Sequence, residues 1–403
     1  MEWLRNWSWR LAILALPWQT RLMFSDASIY VSCFFLIFAI IVAWKNHAAI
    51  ITSPSRKNLI WITLFGLILA SVFTAFPTGT WQWWVQVLLL GMFGWSLVIS
   101  KVDAREFLVW NVVALIPHAM LAVHQAITQQ VFGTKWLGIA PQLPETRGVA
   151  VVDVDGVRHL RAYGGLPYPN ILGGWLAFGL PASLWLAITS DDRKKQITFS
   201  MVGALFTLAL VLTHSRSAWV AVAIILGLLG YHLSRSKRYA LRVTRTPLFF
   251  VLCSLLAALF WQWPMLMTRV TGEGRLEIRS VSERVSGVHA GLTVFAEHPW
   301  FGVGRDAFGI AYSLYPIPHN IPLLMLVETG LVGTSATVLL LTLFFKSIPI
   351  DKRRLILIGT PLLVFAMLDH YLWSYWSGQV LAMLSIIWYF LVSYNIDRSE
   401  KLG

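Results

Sequence analysis

Apolar residues in this chain come in long, nearly unbroken blocks, with neither the alternation of a half-buried strand nor a single repeating face. A helix that crosses a bilayer needs about 20 mostly apolar residues in a row. Blocks of that kind occupy 27–44, 58–76, 81–100, 106–128, 168–190, 196–213, 217–233, 247–263, 320–345, 354–372 and 377–394, and a weaker one at 9–24 is interrupted by Pro17, Gln19 and Arg21. The pattern predicts an all-α polytopic membrane protein of about 12 transmembrane helices. Residues 1–403 form one integral membrane domain on this reading. The Trp-rich start lacks a small-residue cleavage site, so no cleaved signal peptide is expected there.

Two connections are long enough to hold structure of their own. In 129–167, apolar residues alternate on both sides of Asp155-Gly156, which predicts a hairpin with a two-residue turn. In 264–319, Ile278, Val281, Val285, Val288, Leu292 and Phe295 recur at three- and four-residue steps. That spacing predicts an amphipathic helix able to lie on a membrane surface with its apolar side down. Gly302 and Gly304 in "WFGVGRDAFG" follow no βαβ pattern. They fit a tight turn close to a ligand or another backbone, and no dinucleotide site.

Composition agrees with the spans. The chain is 57% hydrophobic and only 13% charged, where a soluble domain carries roughly 25% charged residues. A net charge of +13 could suggest nucleic acid, but topology explains it more simply. With the N-terminus inside, 21 of the 32 lysines and arginines fall in every second connection, the positive-inside pattern. Both termini are then cytoplasmic, and "SRSKRYALRVTR" at 234–245 is a topology anchor with no nucleic-acid partner. Cys33 and Cys253 both sit in apolar blocks as packing residues.

The other 11 basic residues lie outside, and ten of them are arginine. A pure charge anchor can be either cation, whereas arginine's planar fork suits phosphate or carboxylate oxygens. Arg161, Arg216, Arg279 and Arg284 are the leading anion-binding candidates, followed by Arg269 and Arg275. The alternative for some of them is pairing with Glu273, Glu277, Glu283 or Asp306. Arg216 falls in "THSRS", a short turn between two apolar blocks. His319 and Asn320 stand where the chain re-enters the membrane after Pro316 and Pro318, and a histidine there can take or hold a proton. Asp369, at a helix end in "LDHYLW", is an ionisable group at membrane depth. His319, Asp369 and Arg161 should reach the same surface as Arg216. Asp153-Val-Asp155 resembles a DxD metal motif, but the turn already accounts for Asp155; no metal or other cofactor is expected.

At these residues the chain resembles the O-antigen ligase and polymerase superfamily. The pieces are "RAYGGLPYPNILGGWL" (161–176), "HSRSAW" (214–219), "RVSGVHAGLTVFAEHPWFGVGRDAF" (284–308), "PHNIPLLMLVETGLVG" (318–333) and "DHYLW" (369–373). The first departs from the commoner Gly-Thr-Phe-x-x-Pro-Asn form at Gly164-Gly165-Leu166 but keeps Pro169-Asn170, which brings Asn170 into the substrate-binding set with Asn320. The resemblance implies a GT-C-type glycosyltransferase of the bacterial inner membrane with its active site in the periplasm. It implies a glycan donor on undecaprenyl pyrophosphate, the lipid A core as acceptor, and no metal. A polymerase or protein O-oligosaccharyltransferase shares these motifs. A transporter of anionic lipids is a different class, and should carry charges near the bilayer midplane. Here the spans are nearly charge-free apart from Glu328.

Overall fold

The computed structural model describes residues 2–24, 27–47, 80–234, 245–272, 274–311, 315–346 and 352–401. The apolar block at 58–76 and the basic segment 235–244 lie outside the described residues. In chain order the helices are α1 (Glu2–Ala15), α2 (Val31–His47), α3 (Thr80–Ile99), α4 (Ala104–Thr128), α5 (Pro169–Ile188), α6 (Arg193–Leu212) and α7 (Arg216–Ser234). They continue with α8 (Arg245–Thr271), α9 (Arg275–Glu297), α10 (Ala307–Ala311), α11 (Ile321–Lys346), α12 (Lys352–Leu368), α13 (Tyr371–Ser374) and α14 (Trp376–Lys401). Among the described residues, α4, α5, α6, α8 and the first part of α11 are each long and apolar enough to cross a membrane, and five shorter apolar helices accompany them. The fold is that of an all-α membrane protein.

Helix starts follow from local chemistry. Asp103 caps α4 by accepting from the Glu106 amide at 2.8 Å, and Asp192 caps α6 by accepting from the Lys194 amide at 2.8 Å. Pro169 opens α5 at a position where a missing N–H costs nothing. α5 is the most enclosed helix, with α4, α6 and α7 around it. Its Gly174 lets the Tyr371 hydroxyl approach where any Cβ would collide, the device by which small residues bring membrane helices close. α8 lies along α6, and α12 along α7.

Two apolar blocks differ from their sequence reading. The one at 9–24 is no span: α1 ends at Ala15, Pro17 follows, and Arg21–Phe24 is strand β1, paired antiparallel with β2 (Ala27–Tyr30). The residues that interrupt the block also mark the helix end: Pro17 lacks the N–H that would extend the helical ladder, and the chain turns there into β1. α2 accordingly starts at Val31. The block read to 263 runs on through Pro264 to Thr271, so Arg269 belongs to the last turn of α8. The connection 129–167 carries β3 (Val151–Val154) and β4 (Val157–Leu160), joined by Asp155 and Gly156, both at positive φ. That is the geometry such a hairpin turn demands. Asp153 Oδ1 accepts from the Gly156 amide at 3.0 Å, so this carboxylate serves the turn.

α11 contains a break. Gly330 has φ 63° and ψ −172°, and the amides of Leu331 and Val332 donate instead to Pro299 O (2.8 Å) and Trp300 O (3.1 Å). In return the amides of Val303 and Gly304 donate to Val327 O and Glu328 O, both at 2.9 Å. Broken helix is tolerated at membrane depth only when other protein groups satisfy it, and the 299–304 loop does so here. Gly302 sits against the backbone of 327–328, so its positive φ serves a backbone approach.

Candidate active site

The residues that converge come from five places in the chain. The turn between α6 and α7 supplies the first. Thr213 ends α6, His214 takes φ +49°, and α7 begins at Arg216. His214 is buried, and its Nε2 meets Gln262 Oε1 at 3.1 Å. Burial, reinforced by Arg161 and Arg269, pushes its pKa down to about 3, so the ring stays neutral. Its carbonyl accepts from Arg269 Nε (3.1 Å) and Nη2 (2.8 Å). Arg269 also reaches Glu277 Oε1 at 2.5 Å through Nη1, and Arg216 Nη2 approaches Glu277 Oε2 at 3.4 Å. Glu277 is thus a buried anion shared by two arginines.

A second chain of contacts starts at Arg161, just after β4. Its Nε donates to Thr213 O at 2.9 Å and its Nη2 to Asn170 Oδ1 at 2.6 Å. Asn170 passes the contact on, Nδ2 donating to Asp369 Oδ2 at 2.9 Å. The other carboxylate oxygen of Asp369 accepts from the His370 amide at 2.8 Å and stands 3.5 Å from His319 Nδ1. Burial of Asp369 opposes its ionisation, but the neighbouring His319 and His370 outweigh it and hold the carboxyl below its usual range. Arg161, Asn170, Asp369 and His319 therefore form one connected path, with Arg161 and Asp369 buried and His319 half-buried. Arg284 of α9 closes the cluster. It is half-buried and feels the charges of Asp369, Arg216 and Glu277. Four guanidinium groups, Arg161, Arg216, Arg269 and Arg284, thus surround two carboxylates, Glu277 and Asp369. The imbalance favours an anionic guest.

Not every candidate joins. Arg279 is exposed and pairs with Glu283 at 2.7 Å on its own helix, and Arg275 is exposed at the start of α9. Asn320 caps α11, accepting from the Leu323 amide at 3.0 Å and donating to Met367 O at 3.2 Å, so its amide is already employed. Two groups inside the quoted motifs were given no role by the sequence reading. His370 lies with its ring 4.9 Å from that of His319, in a T-shaped arrangement, and its Nδ1 meets Ser374 Oγ at 2.9 Å. Burial pushes the His370 pKa down to about 4. The other is a sealed ion pair. Arg305 Nη1 reaches Glu328 Oε2 at 2.9 Å, both side chains buried, with the guanidinium over the rings of Trp83 and Trp373. Trp373 O accepts from Arg305 Nη2 (3.0 Å), Trp83 Nε1 (3.1 Å) and Gln379 Nε2 (3.0 Å), while its indole N–H donates to Glu328 at 2.6 Å. This clamp fixes the 369–375 turn that presents Asp369. Its one sequence signal is Glu328 itself, a lone charge in an apolar block.

Residues 201–338 match a protein-family model described as O-Antigen ligase. The chain is 26% identical over 281 residues to a General O-oligosaccharyltransferase of Acinetobacter baylyi (strain ATCC 33305 / BD413 / ADP1), a match covering 64% of this chain and 45% of that protein. The chain thus spans about half the length of this curated relative. No solved structure matches. The family match takes in the turn at 213–216, α9 and the 318–333 segment, and together with the relative it supports an O-antigen ligase-type protein.

Proposed function

We propose that this chain is a glycan transferase working at the periplasmic face of the bacterial inner membrane, with its termini in the cytoplasm. The donor is a glycan on undecaprenyl pyrophosphate and the acceptor a sugar hydroxyl of the lipid A core. The observation that carries the reading is the cluster in which four guanidinium groups outnumber two carboxylates beside a half-buried histidine.

Each residue then has a task. Arg216 and Arg284, neither fully buried, face the pyrophosphate as negative charge grows on it during cleavage of the glycosidic bond. Arg161 and Arg269 add field from behind while their hydrogen bonds to Thr213 O and His214 O hold the turn in shape. His319 takes the acceptor proton at Nε2. Asp369 orients the ring through Nδ1–H; the 3.5 Å separation is of the kind that tightens when substrate binds. The acceptor oxygen forms the new bond to the anomeric carbon, the bond to the pyrophosphate oxygen breaks, and the proton rests on His319. Displacement from the opposite side inverts the anomer. The protein's own cations supply the charge stabilisation, so the reaction is metal-independent on this reading.

A second reading keeps the donor and changes the acceptor to a protein hydroxyl. It is favoured by the name of the Acinetobacter relative. Deleting the gene separates the readings. Loss of glycan-capped lipid A core while long lipid-linked glycan accumulates supports the ligase. Loss of long glycan altogether indicates a polymerase, and loss of glycan from proteins alone indicates the second reading.

A further inference from the structure

His319, Asp369 and His370 each offer one ligating atom, and those atoms lie within 4.8 Å of one another. We propose that this triad is an inhibitory binding site for a borderline-soft divalent cation, of which zinc is the type, and that zinc silences the enzyme by occupying its base. The inference rests on the assignment of His319 as that base.

The donor set is the first argument. Two imidazoles and one carboxylate, with a further position open, are the ligands zinc takes in sites that admit another group. Spacing is the second. Ligands at about 2.0–2.2 Å from a tetrahedral zinc stand roughly 3.4 Å apart, and His319 Nδ1 and Asp369 Oδ1 are 3.5 Å apart. The widest pair needs to close by only about 1 Å or a little more on that standard. The third argument is a loosely held nitrogen: His319 Nδ1 is buried and closes no full hydrogen bond, with Asp369 Oδ1 3.5 Å away. The fourth is support around the ligands. Zinc-bound histidines usually donate their other ring N–H to a fixed acceptor, and ligating carboxylates are themselves hydrogen-bonded. His370 has Ser374 Oγ at 2.9 Å from Nδ1, leaving Nε2 for a metal, and Asp369 Oδ2 is held by Asn170.

The consequence is chemical. On the base assignment above, the resting ring carries its proton on Nδ1, facing Asp369, and Nε2 accepts the next one. A cation on Nδ1 drives that proton to Nε2. The nitrogen that must accept from the acceptor hydroxyl then carries a hydrogen already, and proton abstraction stops. Hard, strongly hydrated cations have little affinity for imidazole ligands, so magnesium is not expected to act. The surrounding arginines weaken the binding of any cation here. Catalysis itself still needs no metal.

The test uses the full chain in detergent, purified without a polyhistidine tag. Zinc binding is titrated calorimetrically, and transfer from the lipid-linked donor is measured separately. One zinc should bind per chain, and transfer should fall at least tenfold at saturation and recover on adding chelator. His370→Gln removes a ligand itself and should weaken zinc binding by more than the roughly 10–100-fold that loss of an outer-shell partner costs. Zinc binding unchanged in both His370→Gln and Asp369→Asn overturns the site, as does no binding at all, and leaves the base assignment of His319 standing. Zinc that binds, is lost in both variants, and yet leaves transfer unaffected overturns the inhibition, while the transfer rate of His319→Ala without zinc decides the base assignment separately.

Discussion

Arg305 and Arg284 both lie near the turn that carries Asp369, and their surroundings could hardly differ more. Arg305 is sealed: an ion pair to buried Glu328, a hydrogen bond to Trp373 O and two indole rings use its charge and its fork. Arg284 is half-buried and has nearby charges of both signs, Asp369 and Glu277 against Arg216. A guanidinium whose two terminal nitrogens are both bound by protein, with its charge paired, is architecture. One held beside other cations, with carboxylates too few to neutralise them, is set for a guest. The two regions meet at 369–375, where the first fixes the turn and the second uses it.

The largest effect expected from breaking this contrast is on stability. Glu328→Ala leaves buried Arg305 with only the exposed Asp306 carboxylate, 3.1 Å from Nη1, as a partner, and removing one partner of a buried pair costs about 3–5 kcal/mol. Thermal unfolding of the detergent-solubilised protein should show a large loss. A variant unfolding at the native temperature would mean that the clamp is ornamental and that the 369–375 turn is held by other contacts.

Within the open region the effect should be on rate. His319→Ala is expected to slow transfer by about 100-fold, some 2.7 kcal/mol, the usual scale of a general base. Lipid-linked donor binding and thermal stability should stay close to those of the unmodified chain. A loss of donor binding instead would move His319 into the arginine cluster as a phosphate contact.

How much of this the sequence carried depends on the kind of order each feature has. Span positions were legible because bilayer depth imposes a run length that composition alone reveals, and α3 to α7 begin and end within a few residues of their apolar blocks. The stretch 9–24 misled because its apolarity was counted as a span although Pro17, which acts on backbone geometry, already interrupts it. Convergence of Arg161 with His319 and Asp369 was legible from their common side. The path through Asn170 was not, because it depends on where α5 meets the 369–375 turn. Arg279 and Arg284 show the limit most plainly. Five residues apart on one helix, they looked equivalent, and only the packing of α9 against α11 turns Arg284 inward and leaves Arg279 out.

Acid should reach both regions more weakly. His214 and His370 have pKa values pushed down to about 3 and about 4, against an ordinary value near 6.5. The folded state therefore keeps both rings neutral, while the unfolded chain takes up protons as pH falls through about 6.5. Protons then favour unfolding, and the stability present above that pH is lost on acidification. Between pH 7.5 and 5 the loss should be roughly 1–2 kcal/mol for each histidine, read as a falling midpoint of thermal unfolding. Replacing either ring with glutamine should flatten the slope, and an unchanged slope in both variants would show that the rings titrate freely.

The smallest expected effect is the sharpest test of the comparison. Arg279 was as good an anion-binding candidate by sequence as Arg284, and it sits on the same helix, facing the same side of the membrane on the proposed topology. In the fold its guanidinium is exposed and tied to Glu283 one turn along. Exposed pairs of this i,i+4 kind contribute about 0.3–0.5 kcal/mol and are screened by salt. Arg279→Ala should therefore shift thermal stability by no more than about 0.5 kcal/mol and leave both donor binding and transfer within about twofold of the unmodified chain. Arg284→Ala, measured in parallel, should lose donor binding at comparable stability. If the two variants lose donor binding equally, burial beside Asp369 is not what selects an arginine for the pyrophosphate. The guest would then lie across the whole polar side of α9, with Arg275 and Arg279 among its contacts.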